Sequence, residues 1–214
     1  MSILPVRLIG DPVLRETAAS VSGDPARYAG LVADMFETMD AVSGVGLAAP
    51  QIGASVRIFT FDDRRGSRGV CVNPVIVERV PAESDDAGAP ESVTEGCLSV
   101  PEIAGVVGRS GRVVVSYTAM DGTEATLEAE GLLAAIMEHE TDHLDGRLFI
   151  DRLTGDARRE AMRRVRAADY GVSGARVAQS RASSVSSAFG ATATSFGAPA
   201  RSAVGGGAPR GGRP

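Results

Sequence analysis

Apolar residues fall at helical spacing in two stretches of the chain and run or alternate as strands in several others. In "GDPARYAGLVADMFETMDAVSG", Leu31, Val32, Met35, Met39 and Val42 line one helical face. Asp24 stands as N-cap, Pro25 takes the first helical position and Gly44 follows as a stop. "EGLLAAIMEHETDHL" predicts a second helix, apolar almost all round and therefore buried. "SVRIFTF" and "GVCVNPVIVERV" read as strands, and "GRVVVSYTAMDGTEATLEAEG" reads as a hairpin turning at Asp121-Gly122. A last helix is expected over about 156–170. The order of elements gives an α+β fold in residues 1–170. Residues 171–214 are rich in Gly, Ala, Ser and Pro and show no period. They lack the apolar surface needed to offset ordering entropy, so a disordered tail is expected there.

Charge divides the chain unevenly. Residues 1–154 hold 12 Arg against 24 acidic residues, whereas 155–214 hold 10 Arg against 3. Five of these arginines (Arg158, Arg159, Arg163, Arg164, Arg166) crowd the last helix, a pattern suited to an anionic partner. The alternative is a solvated helix face. The N-terminus "MSILPVRLIGDPVLRE" has no apolar run of signal or membrane length, so the cytoplasm is the expected compartment, with reduced thiols. Cys71, in a strand-like run, reads as a small buried hydrophobe.

Candidate chemistry centres on "MEHETDHLDG", which contains both histidines of the chain. His139 and His143 share one helical face and could ligate one divalent cation, with Glu140 placed as a general base. A third ligand is needed. The protease pattern that supplies a histidine six residues later finds Phe149 here, and the only glutamate beyond the motif is Glu160, on the arginine-rich helix. Cys97, in "EGCLSVP", would complete a Cys-His-His set. In "GVGLAAPQIG", Gly44 and Gly46 leave backbone open to an added strand, and Gln51 offers an amide donor. A metalloprotease using Glu160 and a purely structural metal site both remain open at this point. Glu140 argues against the second, since a structural site has no use for a base.

Taken together, Gly44–Gln51, Glu95–Ser99 and His139–Leu144 resemble the three signature motifs of the peptide deformylases, in order, over roughly residues 3–165. The resemblance implies mixed or antiparallel sheets packed around a central metal-binding helix. It also implies hydrolytic removal of the N-formyl group from the methionine of new polypeptides, releasing formate. Cys97, His139 and His143 would hold Fe²⁺, with Zn²⁺ the occupant after purification, and a water in the fourth position would be the nucleophile. Glu140 would act as base and then acid, while Gln51 and the Leu98 N–H would meet the developing oxyanion. Val45 and Gly46 would pair with the substrate backbone, and Leu132, Ala135 and Ile136 would line the methionine pocket. The implied partners are formylated nascent chains and, through the basic C-terminal helix and tail, ribosomal RNA. Glu138, Ser43 and Ala104 depart from residues common in that family.

Overall fold

The stretch read as a hairpin folds as β6 (Ser110–Thr118) and β7 (Glu124–Glu130), joined by a turn in which Asp121 accepts from the Thr123 N–H. In this computed structural model, which describes residues 2–82, 92–168 and 170, β6 pairs in turn with β3 (Arg68–Pro81). β3 pairs with β2 (Ile58–Asp62), and β2 with the short β1 (Gly46–Ala48). The result is a five-stranded antiparallel sheet in the order β1-β2-β3-β6-β7. β4 (Ser92–Cys97) and β5 (Val100–Gly108) form a separate antiparallel pair. An isolated parallel bridge joins Ala19 and Val56. The expected α+β class is what the chain adopts. The tail expected at 171–214 lies outside the described residues.

Helix α1 (Ala29–Ala41) follows a 3-10 turn at Pro25–Tyr28 that carries the expected Asp24 cap. Its buried face, Val32, Met35 and Met39, packs with Leu47, Ile58 and Val72. Helix α2 (Gly131–Leu144) lies against the larger sheet, with Ile136, Met137 and Leu144 meeting Phe59, Phe61, Val113 and Val115. It ends at Gly146, whose φ of +71° and contact with the Arg15 backbone leave no room for a side chain. A short α3 (Phe149–Arg152), which periodicity did not reveal, precedes α4 (Gly155–Ala167).

β5, α3 and α4 build a third core from Val100, Ile103, Val107, Phe149, Ile150, Leu153 and Ala161. Of α4, only Ala161 is fully buried, with Met162 and Val165 partly buried against the same core. No helix among the described residues is long and apolar enough to cross a membrane.

This third core ties the C-terminal helices to the β4–β5 pair. Phe149 is 1% exposed within it. Phe149→Ala should therefore cost about 3–5 kcal/mol of stability, read as a lower urea midpoint at unchanged slope. A loss below about 1 kcal/mol would mean that these helices unfold apart from the sheet.

Candidate active site

Helix α2 brings its two histidines under the larger sheet, with ring centroids 4.9 Å apart at 75°. From the other side comes Cys97, the last residue of β4. A register shift between Gly96 and Cys97 turns its side chain out of the β4–β5 ladder and toward the helix. Its Sγ lies 3.2 Å from His143 Nε2. One ligand atom from each of Cys97, His139 and His143 lies within 4.8 Å of the other two. This soft, mixed sulfur and imidazole set suits a transition-metal ion and leaves a fourth position open. Glu160, the rival third ligand, instead sits exposed on α4 and pairs with Arg163.

The imidazoles are oriented from behind. Glu95, fully buried two residues before Cys97, has Oε2 2.9 Å from His139 Nδ1. A carboxylate can only accept there, so Nδ1 carries the proton and Nε2 is left for a metal. Arg109 grips Glu95 through two of its nitrogens and reaches Asp142 Oδ2 at 2.9 Å with a third. Asp142 also receives a bidentate contact from Arg152. Burial pushes the Glu95 carboxyl up, but Arg109 and His139 outweigh it and hold the pKa near 2. At Asp142 burial likewise acts upward, and Arg152 and Arg109 bring the value below the usual range.

Burial would also keep the Cys97 thiol protonated, yet the two imidazoles hold its pKa well below the ordinary value. It is a ready thiolate ligand. Cys71, with no such neighbours, is pushed up to about 12 by burial, as fits an inert core thiol.

Glu140 faces β1. A Cβ added to Gly46 would stand 2.2 Å from Glu140 Oε1, so only glycine allows the strand to pass over this carboxylate. Glu140 is 3% exposed, and its Oε2 has no hydrogen-bond partner. Desolvation raises its pKa to about 7, against the opposing influence of the two histidines. That value is favourable for a group that must take up and release a proton near neutrality.

Gln51 belongs to the 3-10 turn after β1 (Ala49–Ile52). Its Oε1 accepts from the Ala48 N–H at 2.8 Å, which aims Nε2 at Cys97 Sγ (3.7 Å) and Ser99 Oγ (3.3 Å). Leu98 occupies the turn after Cys97, half-buried against the α1 core. Val45 and Gly46 lie at the edge strand beside Glu140. Leu132, Ala135 and Ile136 stand seven, four and three residues before His139, on its helical face. Of these, Ile136 is 1% exposed and packed into the sheet core, whereas Leu132 is only half-buried.

Glu138 directs its carboxylate away from the site, to Arg79, the Ser110 N–H and the Ser110 hydroxyl. Sequence reading assigned no role to Glu95, Arg109, Asp142 or Arg152. Glu95 and Asp142 lay inside quoted motifs, but nothing local to Arg109 announces a buried guanidinium.

The Polypeptide deformylase family profile matches residues 3–159. A peptide deformylase of Mycobacterium sp. (strain JLS) is 45% identical over 186 residues, covering 81% of this chain and 93% of that protein. One from Rhodococcus opacus (strain B4) is 42% identical over 187 residues, covering 81% and 92%. Among solved structures, the peptide deformylase of Thermus thermophilus superposes with a TM-score of 0.70 at 39% identity, covering 84% of this chain and 99% of that one. The Legionella pneumophila peptide deformylase gives 0.68 at 35%, covering 78% and 99%.

The ligand set has a direct test in metal content per chain. Cys97→Ala should lose the metal, while Glu160→Ala should keep a full equivalent. Retention by the first together with loss by the second would reassign the third ligand to Glu160.

Proposed function

The chain belongs to the peptide deformylase family, metal-dependent hydrolases that remove the N-formyl group from the methionine of newly made polypeptides, and from that premise we propose the role of each residue. Carrying this reading is the buried Glu140 carboxylate, unpartnered at Oε2 and adjacent in sequence to a ligand of the Cys97, His139 and His143 set.

These three residues hold a single divalent ion, Fe²⁺ in the cell and Zn²⁺ after purification, and Cys97 is the ligand that makes a ferrous site sensitive to oxygen. When bound, the ion supplies Lewis acidity, making a water acidic and drawing charge from the formyl oxygen. Glu140 takes a proton from the attacking water as its oxygen bonds to the formyl carbon. As the C–N bond breaks, Glu140 passes that proton to the departing amine, and formate leaves. Gln51 Nε2 and the Leu98 N–H stabilise the negative charge that grows on the formyl oxygen. Support for Gln51 comes from its second amide atom, tied to Ala48, which fixes the donor before substrate arrives. The peptide backbone pairs with Val45 and Gly46, and its methionine enters a pocket bordered by Leu132, Ala135 and Ile136. We place the reaction in the cytoplasm, where nascent chains emerge.

Association with ribosomal RNA through the C-terminal basic segment is the second part of the proposal. The α4 arginines are not equivalent for this purpose. Arg158 donates to the Ile150 and Asp151 carbonyls, and Arg164 to the Glu102 carbonyl, so both fasten α4 to the fold. Arg159 and Arg163 pair with Asp156 and Glu160 on their own helix, at exposures where such pairs contribute little. They and the exposed Arg166 can therefore turn to phosphates.

Glu140→Gln should keep fold and metal while deformylation falls at least about 10²-fold, because one group serves both proton transfers. Gln51→Ala should lower kcat more than it raises KM, as expected for a contact formed mainly in the transition state. Steady-state kinetics on formyl-Met peptides read both. A Glu140→Gln variant retaining a tenth of wild-type turnover would remove Glu140 from the mechanism.

Replacing Arg159, Arg163 and Arg166 with glutamine should release the protein from sedimenting ribosomes at low salt. Wild-type binding should weaken steeply as salt rises. Unaltered sedimentation of the triple variant would exclude the helix as a tether.

A further inference from the structure

Within the sheet, β1 is an edge strand, paired only with β2 among the described residues. The Val45 carbonyl accepts from the Asp62 N–H at 2.9 Å, on the β2 side. Alternation along a strand then turns the Gly46 N–H and C=O to the free edge, above Glu140. The metal ligands and Gln51 lie beyond the Ala48 end. A peptide whose formyl group sits there must leave past Gly46 toward Gly44, antiparallel to β1.

Gly44 is where the departing peptide would next meet the chain, and it is fastened on both sides. Its N–H donates to the Met39 carbonyl at the end of α1, at 2.9 Å. Its own carbonyl accepts from Arg64 Nη2 at 2.9 Å. Arg64 lies in the β2–β3 turn with φ +58°, its backbone N–H bonded to Asp62 Oδ1 at 2.8 Å. The guanidinium stands 3.6 Å from Asp62 and 3.7 Å from Asp40. Arg68 in turn braces both aspartates, bridging Asp40 through two nitrogens and Asp62 through one, with its guanidinium over the Phe36 ring at 4.5 Å.

The residue just before Gly44 makes this fastening consequential. Ser43 has φ +53°, a conformation a non-glycine residue adopts only when its surroundings enforce it. Without Arg64, the 43–45 segment would keep its bond to α1 and lose the one that orients the Gly44 carbonyl.

We propose that Arg64 is a positioning residue for substrate binding: by holding the Gly44 carbonyl it keeps residues 44–46 extended and ready to receive the peptide. It acts on the residues that follow the formylated methionine and not on the chemistry at the formyl carbon. Preorganisation of this kind lowers the ordering cost of strand addition. The inference rests on the proposed pairing of the peptide with the edge at Val45 and Gly46, where Gly46 offers the outward-facing N–H and C=O.

The test uses the metal-loaded enzyme, formyl-Met, formyl-Met-Ala and formyl-Met-Ala-Ser, and the same tripeptide N-methylated in turn at the Ala and the Ser nitrogen, away from the scissile formamide. For wild type, kcat/KM should rise with length, and N-methylation should erase part of the gain. In Arg64→Gln, KM for the tripeptide should rise about tenfold, the loss of one charge-assisted hydrogen bond, with kcat changed less than twofold and a smaller effect on formyl-Met. Arg64→Lys, which keeps a cationic donor, should recover part of the loss. Equal penalties on formyl-Met and the tripeptide, or no penalty on either, would overturn the role of Arg64. N-methylation without effect in wild type would instead overturn the strand pairing on which it rests.

Discussion

Six consecutive polar side chains of α2, Glu138 through His143, are buried, and the rest of the structure is arranged to make that tolerable. Unpaired charges in such a place would cost several kcal/mol each. Two separate arrangements prevent it. Behind His139, Glu95, Arg109, Asp142 and Arg152 form one alternating chain of charges that joins β4, the junction of β5 and β6, α2 and α3. On another face, Glu138 is taken by Arg79 and Ser110. Thus the Glu138 carboxylate is taken up by the sheet and does not turn toward the Cys97, His139 and His143 cluster.

What these networks leave unsatisfied is informative. Glu140 Oε2, Thr141 Oγ1 and His143 Nδ1 are buried without a hydrogen-bond partner, while Glu138, His139 and Asp142 are held by the two networks. Where β1 passes over Glu140 it does so at Gly46, which has no side chain with which to bond the carboxylate. A structural metal site would have no reason to hold a desolvated carboxylate at this position. In the proposed mechanism the same glycine would also offer the substrate's backbone its edge, so one residue would serve both the base and the peptide.

The site was legible in sequence because its residues sit in short, chemically distinctive strings: two histidines four apart around a glutamate, a cysteine beside glycine, and glycines before a glutamine. The Asp121-Gly122 hairpin was legible for similar reasons, its turn chemistry being local. Less visible was β5, because Leu98-Ser99 carries no turn signature and the β4–β5 reversal depends on a register shift. Arg109 was hidden altogether, since the carboxylates that justify its burial lie 14 and 33 residues away. The α4 arginines looked alike in sequence, and only the fold separates those that clasp carbonyls from those that face solvent. For the same reason Arg64 had no visible purpose until the loop it secures was placed beside it.

The two ends of the larger sheet are finished in opposite ways. β7, paired only with β6 among the described residues, carries the exposed glutamates Glu124, Glu128 and Glu130, and acidic side chains on an edge strand disfavour edge-to-edge pairing with a second copy. β1 has no such row, in keeping with the proposal that the peptide joins it. Its protection is brevity: three residues after the α1 loop, the chain winds into the 3-10 turn at Ala49–Ile52. An edge this short offers few ladder bonds to template another sheet, while the proposed substrate needs only enough for its first residues. Brevity thus limits what an open strand edge could do as a template for aggregation.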